Sequence, residues 1–432
     1  MHDLAIEPYP YGKRFAFAFI DDTDRATTSE VALLYALLSD HGIFGTKTVW
    51  PLPASAYSGG HRSFSQAGDT LAEPEYRRLC QTLAAQGFEI AMHTASAGDS
   101  PREETFRAYE LFEETFGHPP ATNIMHGRNR ENIYWGKHAV HPGWLRRLIS
   151  LAEPQDFSGH LPGSPYYWGD LCREKTRYVR QFETLASNTL RFDPATPYHD
   201  PKKPDVRFWF SASYGSGGRL FDLLAEPRLE RLAEERGACL AHTYLCRYAV
   251  PDGSGRAFTV QLRFSRLMAR LAARTDGWYV PVVTLLDRIR ALRALSIELA
   301  GHELRLTNRS DQRIDDLALS CRRGGGEDLW GARGALPRNG YGQLLAGSLE
   351  PDETLCLVHR AGPVHLTAPA APPPNHTRLA SGYVARVIWQ FLHGRRRLVS
   401  NSDPAVARRF AAARAHPAAD GAGLTKVYRP TR

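Results

Sequence analysis

The 432-residue chain has few sulfur residues and no pattern among them. Its six cysteines (Cys80, Cys172, Cys239, Cys246, Cys321 and Cys356) never form a CxxC pair. That spacing argues against both a disulfide framework and a thiolate zinc site, and it makes a reducing compartment the default. No apolar run approaches the ~20 residues needed to cross a bilayer. Met1-His2-Asp3-Leu4 does not begin like a secretory leader, so the expected address is the cytoplasm. No nucleic-acid motif accompanies the net charge of +8, and much of that excess is local, in Arg395-Arg396-Arg397 and Arg408-Arg409. No internal repeat is visible. A hydrophobic content of 43% and a charged content of 23% are ordinary for a folded protein, and the length allows more than one domain.

From Arg14 to about Leu292, short apolar strands alternate with amphipathic helices. The spacing predicts strands at Phe15–Ile20, Gly45–Trp50, Phe88–Met92, Thr122–Met125, Val206–Phe210, Cys239–Ala241 and Trp278–Val283. Helices are expected at Ser29–His41, Glu75–Gln86, Arg102–Phe116, Pro227–Arg236 and Val260–Arg274. Such alternation argues for an α/β fold built on a parallel sheet or barrel. Pro51–Thr70 reads as a long loop. Trp135–Pro204 has no clear period and holds the aromatic cluster Tyr166-Tyr167-Trp168, which either packs on itself or stacks on sugar rings. After Arg293 the period becomes two, as in Glu303-Leu304-Arg305-Leu306-Thr307, which predicts a small all-β module. A Pro/Ala linker, Ala368–Pro374, precedes a helical stripe of Val384, Val387, Ile388, Phe391 and Leu392. That stripe suits docking on the protein's own body better than a membrane surface. The last ~20 residues have the composition of a disordered tail. The expected domains are therefore residues 1–292, 293–368 and 369–432.

Four predicted strands end in ionisable groups: Asp21-Asp22, His93-Thr94, His126-Gly127-Arg128 and His242. Side chains at the C-terminal ends of successive parallel strands converge on one face. Imidazoles and a carboxylate gathered there match a catalytic metal site of the nitrogen-and-oxygen type. Taken singly, Asp21 or Asp22 would serve as well for a helix N-cap, and a lone strand-end histidine is more often just hydrogen-bonded.

The chain resembles the polysaccharide deacetylases of the NodB-homology type. The residues carrying the resemblance are Phe19-Ile20-Asp21-Asp22-Thr23, His93-Thr94-Ala95-Ser96-Ala97, Met125-His126-Gly127-Arg128 and Leu240-Ala241-His242. The closing runs Gly277-Trp278-Tyr279-Val280 and Leu285-Leu286-Asp287-Arg288-Ile289 add to it. It covers about two thirds of the chain. It implies a distorted (β/α) barrel, followed here by the small all-β module and a C-terminal helix. The family's second motif carries a second metal histidine where this chain has Ala97, and His126 is the natural substitute. The resemblance then implies Asp22, His93 and His126 as ligands of a divalent metal ion, zinc by expectation. Asp21 becomes the general base, His242 the acid that protonates the leaving group, and Arg128 the group that orients Asp21 or stabilises an oxyanion. Thr94 fits a supporting hydrogen bond.

The function so implied is removal of an N-acetyl or O-acetyl group from a sugar of a surface polysaccharide or its precursor. A glycoside hydrolase on a similar barrel is a second reading. It needs two carboxylates about 5–10 Å apart, with Asp24, Glu103, Asp170 or Asp193 as the partner. A non-catalytic carbohydrate-binding protein that has lost its metal is a third. The partners implied are a carbohydrate substrate, no nucleic acid, and a membrane surface only if the basic C-terminal helix binds one.

Overall fold

A computed structural model describes residues 2–54, 68–127, 129–152, 156–254, 257–323, 329–360, 362–367, 369 and 372–385. The chain opens with β1 (His2–Ile6), then alternates through β2 (Phe15–Asp21), α1 (Thr28–Asp40), β3 (Thr46–Val49), α2 (Pro74–Ala85), β4 (Glu89–Met92), α3 (Arg102–Phe116) and β5 (Thr122–Asn123). It continues with α4 (Gly143–Ala152), α5 (Gly169–Lys175), β6 (Tyr178–Thr184), α6 (Thr189–Phe192), β7 (Phe208–Tyr214), α7 (Arg219–Leu223), α8 (Glu226–Glu234) and β8 (Ala238–Thr243). A short hairpin of β9 (Ala249–Pro251) and β10 (Phe258–Val260) follows, then α9 (Leu262–Ala272), β11 (Gly277–Tyr279) and α10 (Val282–Arg293).

Strands β2 to β8 pair in parallel in chain order, and β8 returns to β2, so seven strands close into a barrel. β8 takes one edge of β2 along Ala16–Asp21. The other edge is divided between β11 at Phe15–Phe17 and β3 at Ile20–Asp21. That sharing distorts the barrel. Strands buried on both faces explain the near-continuous apolar run of β2.

Within β2, Phe15, Phe17 and Phe19 pack into the layer of surrounding helices. Ala16, Ala18 and Ile20 face the interior with Ile124, Phe210, Ala212 and Leu240. Val282, Leu285, Leu286 and Ile289 of α10 belong to this interior cluster and close the end opposite the strand termini. Two otherwise unpaired N–H groups at the start of α10 are satisfied there. Val282 N donates to Thr46 Oγ1 (2.9 Å) and Val283 N to Glu89 Oε2 (3.1 Å).

The residues after α10 form two sheets around a leucine-rich core that includes Leu304, Leu306, Leu317, Leu319, Leu344 and Leu357. β1 belongs by pairing to this module: it runs antiparallel to the strand Ile314–Arg323 and parallel to Val364–Thr367. Residues 376–385 are helical. Leu379 and Ala380 are buried in the barrel's outer core, with Tyr383 and Val384 against it. Val387, Ile388, Phe391, Leu392 and the tail lie outside the described residues. No helix among the described residues is long and apolar enough to cross a membrane.

Candidate active site

The two-residue period of a strand separates the adjacent aspartates of β2. Asp21 keeps the register of Phe17 and Phe19 and turns outward under α1. Its Oδ2 accepts a hydrogen bond from Tyr35 Oη (3.0 Å) and lies 3.3 Å from Lys47 Nζ, and its Oδ1 accepts from Leu245 N (2.8 Å). The Asp21–Lys47 pair is sealed, at 2% and 0% exposure. Burial raises the Asp21 pKa above the ordinary value, against the pull of Lys47.

Asp22 takes the interior side. Arg180 grips it at both oxygens, Nη1 to Oδ1 at 3.0 Å and Nη2 to Oδ2 at 2.8 Å. Burial alone would raise its pKa, but the charges of Arg180, His242 and His93 hold it well below the carboxylate range.

A tight turn then brings a third carboxylate over the strand ends. Asp22 N donates to Thr243 O, Thr23 N to Thr48 Oγ1 and Ala26 N to Thr23 O. Asp24, in that turn, stands between two imidazoles. Its Oδ2 is 3.3 Å from His93 Nε2 and its Oδ1 is 3.2 Å from His126 Nε2. All three residues are buried. Burial opposes ionisation of Asp24, yet the two imidazoles hold its pKa far below normal. Burial likewise opposes protonation of His126, yet Asp24 raises its pKa.

The far nitrogens of both rings are already committed. His93 Nδ1 lies 2.8 Å from Ile124 O, which can only accept, so that nitrogen carries the proton. His126 Nδ1 lies 3.0 Å from Asn129 Oδ1. The Asn129 orientation is fixed because its Nδ2 donates to Gly98 O and Glu131 Oε1, both at 2.8 Å. In the neutral rings, therefore, two Nε2 lone pairs and a carboxylate converge on one point. Only a cation or an extra proton reconciles them, and this donor set with fixed tautomers is that of an N/O metal site. Trp50, fully buried, stacks on His93 (centroids 5.7 Å apart, 30°) and meets His126 edge-on (5.5 Å).

Beside this cluster lies a second carboxylate–imidazole group. His242, from β8, hydrogen-bonds through Nδ1 to Glu183 Oε1. Its Nε2 sits 2.9 Å from Asp22 Oδ2, out of line for a hydrogen bond. Burial lowers the imidazole's pKa, but Asp22 and Glu183 outweigh it and raise the value. Arg180 and Glu183 both come from β6 and reach the same interior group, although an odd separation would ordinarily place them on opposite faces. The register slips between Arg180 and Phe182, where β6 pairs with β7. This irregularity returns Glu183 to the interior.

The structure brings some of the expected site residues together and parts others. His93 and His126 do come together, but Asp24 rather than Asp22 stands between them. The adjacency of Asp21 and Asp22 made them look like one unit, and strand alternation parts them. Asp21 faces Lys47 and Tyr35, away from the imidazoles. Arg128 lies outside the described residues, and Arg180 is the arginine on the interior aspartate. Thr94 Oγ1 donates to the carbonyls of His93 and Ser96 and accepts from Asn129 Nδ2 (3.4 Å), the amide that holds the His126 ring. Trp168 is buried with Nε1 on Glu131 O (2.6 Å), a packing role. Of the carboxylates considered for glycoside hydrolysis, Asp170 pairs with Arg102, and Asp193 accepts from Ser211 and Thr196. Glu103 is exposed.

No family model and no curated protein matches the sequence. Among solved structures, the allantoinase Puue aligns with TM-score 0.37 and 13% identity, over 66% of this chain and 93% of its own. A polysaccharide deacetylase from Mycobacterium smegmatis, itself designated putative, gives 0.35 and 13%, over 66% and 92%. A GH57-type branching enzyme from Pyrococcus horikoshii gives 0.33 and 10%, over 64% and 70%. Likenesses this faint carry no functional inference, so the chemistry has to come from the side chains. Those side chains form a closed (β/α) barrel's strand-end cluster of one carboxylate–imidazole triad and one Asp–Arg/His–Glu group.

Proposed function

We propose that this protein is a metal-dependent hydrolase that removes an acetyl group, N- or O-linked, from a sugar of a surface polysaccharide or its precursor. The observation that carries the reading is the convergence of His93 Nε2, His126 Nε2 and the Asp24 carboxylate, with both Nδ1 atoms already held. Asp24, His93 and His126 would hold a divalent ion, zinc by donor type. A cation there would polarise an acyl carbonyl and bring the pKa of a water toward ~7.

The remaining roles fall on residues of this chain. Asp22 would be the base in place of Asp21, kept ionised and aimed by Arg180. Its low pKa makes it a weak base, so it suits a water already acidified. His242, protonated because its pKa is raised between two carboxylates, would give its proton to the leaving amine or alkoxide, with Glu183 holding the ring. The near-complete burial of these groups lowers the local dielectric and strengthens each of these interactions. The sugar itself rests on the strand-end motifs alone.

The test is acetate release from N-acetylated and O-acetylated oligosaccharides by protein stripped with chelator and reloaded with zinc. Metal-dependent release supports the proposal. Zinc bound with no release from any acylated sugar would overturn it, and no zinc retained together with strong binding of the intact glycans would favour the carbohydrate-binding reading.

A further inference from the structure

A second group of metal-ligand side chains lies outside the barrel mouth. His141 follows the loop after β5, Asp200 lies between α6 and β7, and His376 opens the helical segment 376–385. One ligand atom from each falls within 4.8 Å of the other two. His141 Nε2 is 2.8 Å from Asp200 Oδ2, and the His141 and His376 rings touch at 3.9 Å between centroids. Asp200 is nearly sealed, its side chain 4% exposed. His376 Nδ1 is buried and has no hydrogen-bond partner. A buried polar nitrogen without a partner normally costs ~1–3 kcal/mol. Here it sits against a second imidazole and a carboxylate, an arrangement that a bound cation would satisfy. Lys203 Nζ is 3.8 Å from Asp200 Oδ2, but its short contacts are elsewhere, to Ala139 O (2.8 Å) and Gln181 Oε1 (3.0 Å).

We infer that His141, Asp200 and His376 form a second site for a divalent transition-metal ion, of the zinc, nickel or cobalt class, which fastens the C-terminal helix to the barrel. Two imidazoles and one carboxylate are the donors such ions prefer. Two of them belong to the barrel, whereas His376 begins the segment that reaches the barrel core through Leu379 and Ala380. The ion therefore joins segments more than 170 residues apart in the chain, and it acts as a clasp with no part in turnover.

The full-length chain, stripped with chelator, is titrated with zinc by calorimetry and scored by elemental analysis. Wild type is expected to bind two equivalents. His376→Ala and His141→Ala, on opposite sides of the clasp, should each bind one and keep acetate release. His93→Ala should also bind one but lose release. In limited proteolysis, zinc should protect the junction before residue 376 in wild type and in His93→Ala, but not in His376→Ala. Unchanged stoichiometry in both clasp variants, or protease protection that ignores zinc, overturns the inference. A single equivalent lost only in the clasp variants supports the clasp and defeats the barrel site.

Discussion

Exchanging Asp21 and Asp22 for asparagine in separate variants should produce two different failures. Asp21→Asn removes one member of a pair in which Lys47 is fully buried and Asp21 is 2% exposed. Breaking such a pair leaves an uncompensated buried charge and costs about 3–5 kcal/mol. The new amide also confronts the Tyr35 hydroxyl or the Leu245 N–H with a donor where both now donate. For a barrel of this size each kcal/mol is worth roughly 2–4 °C, so the melting temperature should fall by about 6–20 °C. Turnover per folded molecule at low temperature should stay near wild type. Asp22→Asn, by contrast, leaves Arg180 with Glu183 as a remaining partner at 3.9 Å. It should retain metal and lose about 10²–10⁴-fold in turnover, the usual contribution of a positioned base. The assays are thermal unfolding, metal content and acetate release on the same preparations. Asp21→Asn that keeps its stability and metal but loses turnover a hundredfold would refute the assignment.

Glu183→Gln removes one of the carboxylates that raise the His242 pKa. Because a raised value keeps His242 protonated to higher pH, activity should fall on the alkaline side as that proton leaves. The variant's alkaline limb should move to lower pH in a rate profile, and an unmoved limb would remove His242 as the acid. Asn129→Leu abolishes the acceptor that fixes the His126 ring. Metal affinity by competitive titration should weaken about 10–100-fold with all three ligands intact. Leu379→Ala opens a cavity where the C-terminal helix meets the barrel and should cost about 2–5 kcal/mol in denaturant unfolding.

Much of the barrel can be read directly from periodicity. The run Phe15–Ile20, buried on both faces, and the strand–helix alternation through Phe116 are legible because apolar packing alone decides them. β6 is not, since its interior positions carry Arg180 and Glu183 and its alternation is broken by the bulge between them. A site strand of this kind looks polar and aperiodic. β1 is five residues long and pairs with strands more than 300 residues away, which no local pattern records. The predicted strand Trp278–Val283 in fact divides, with β11 ending at Tyr279 and Pro281 capping α10. At the site, the two-residue alternation of β2 sends the adjacent Asp21 and Asp22 to opposite faces, whereas Asp24 lies in the turn past the end of the strand, where no periodicity marks it. Asn129 and Trp50 act through second contacts, for which the sequence offers no spacing signal.

Crystals soaked in zinc and measured at the zinc absorption edge would locate the ion itself. An anomalous peak is expected about 2.0–2.2 Å from His93 Nε2, His126 Nε2 and an Asp24 oxygen, with Asp22 still held by Arg180. A peak bonded to Asp22 in place of Asp24, or no density between the two imidazoles at saturating zinc, would rule out the triad as the metal site.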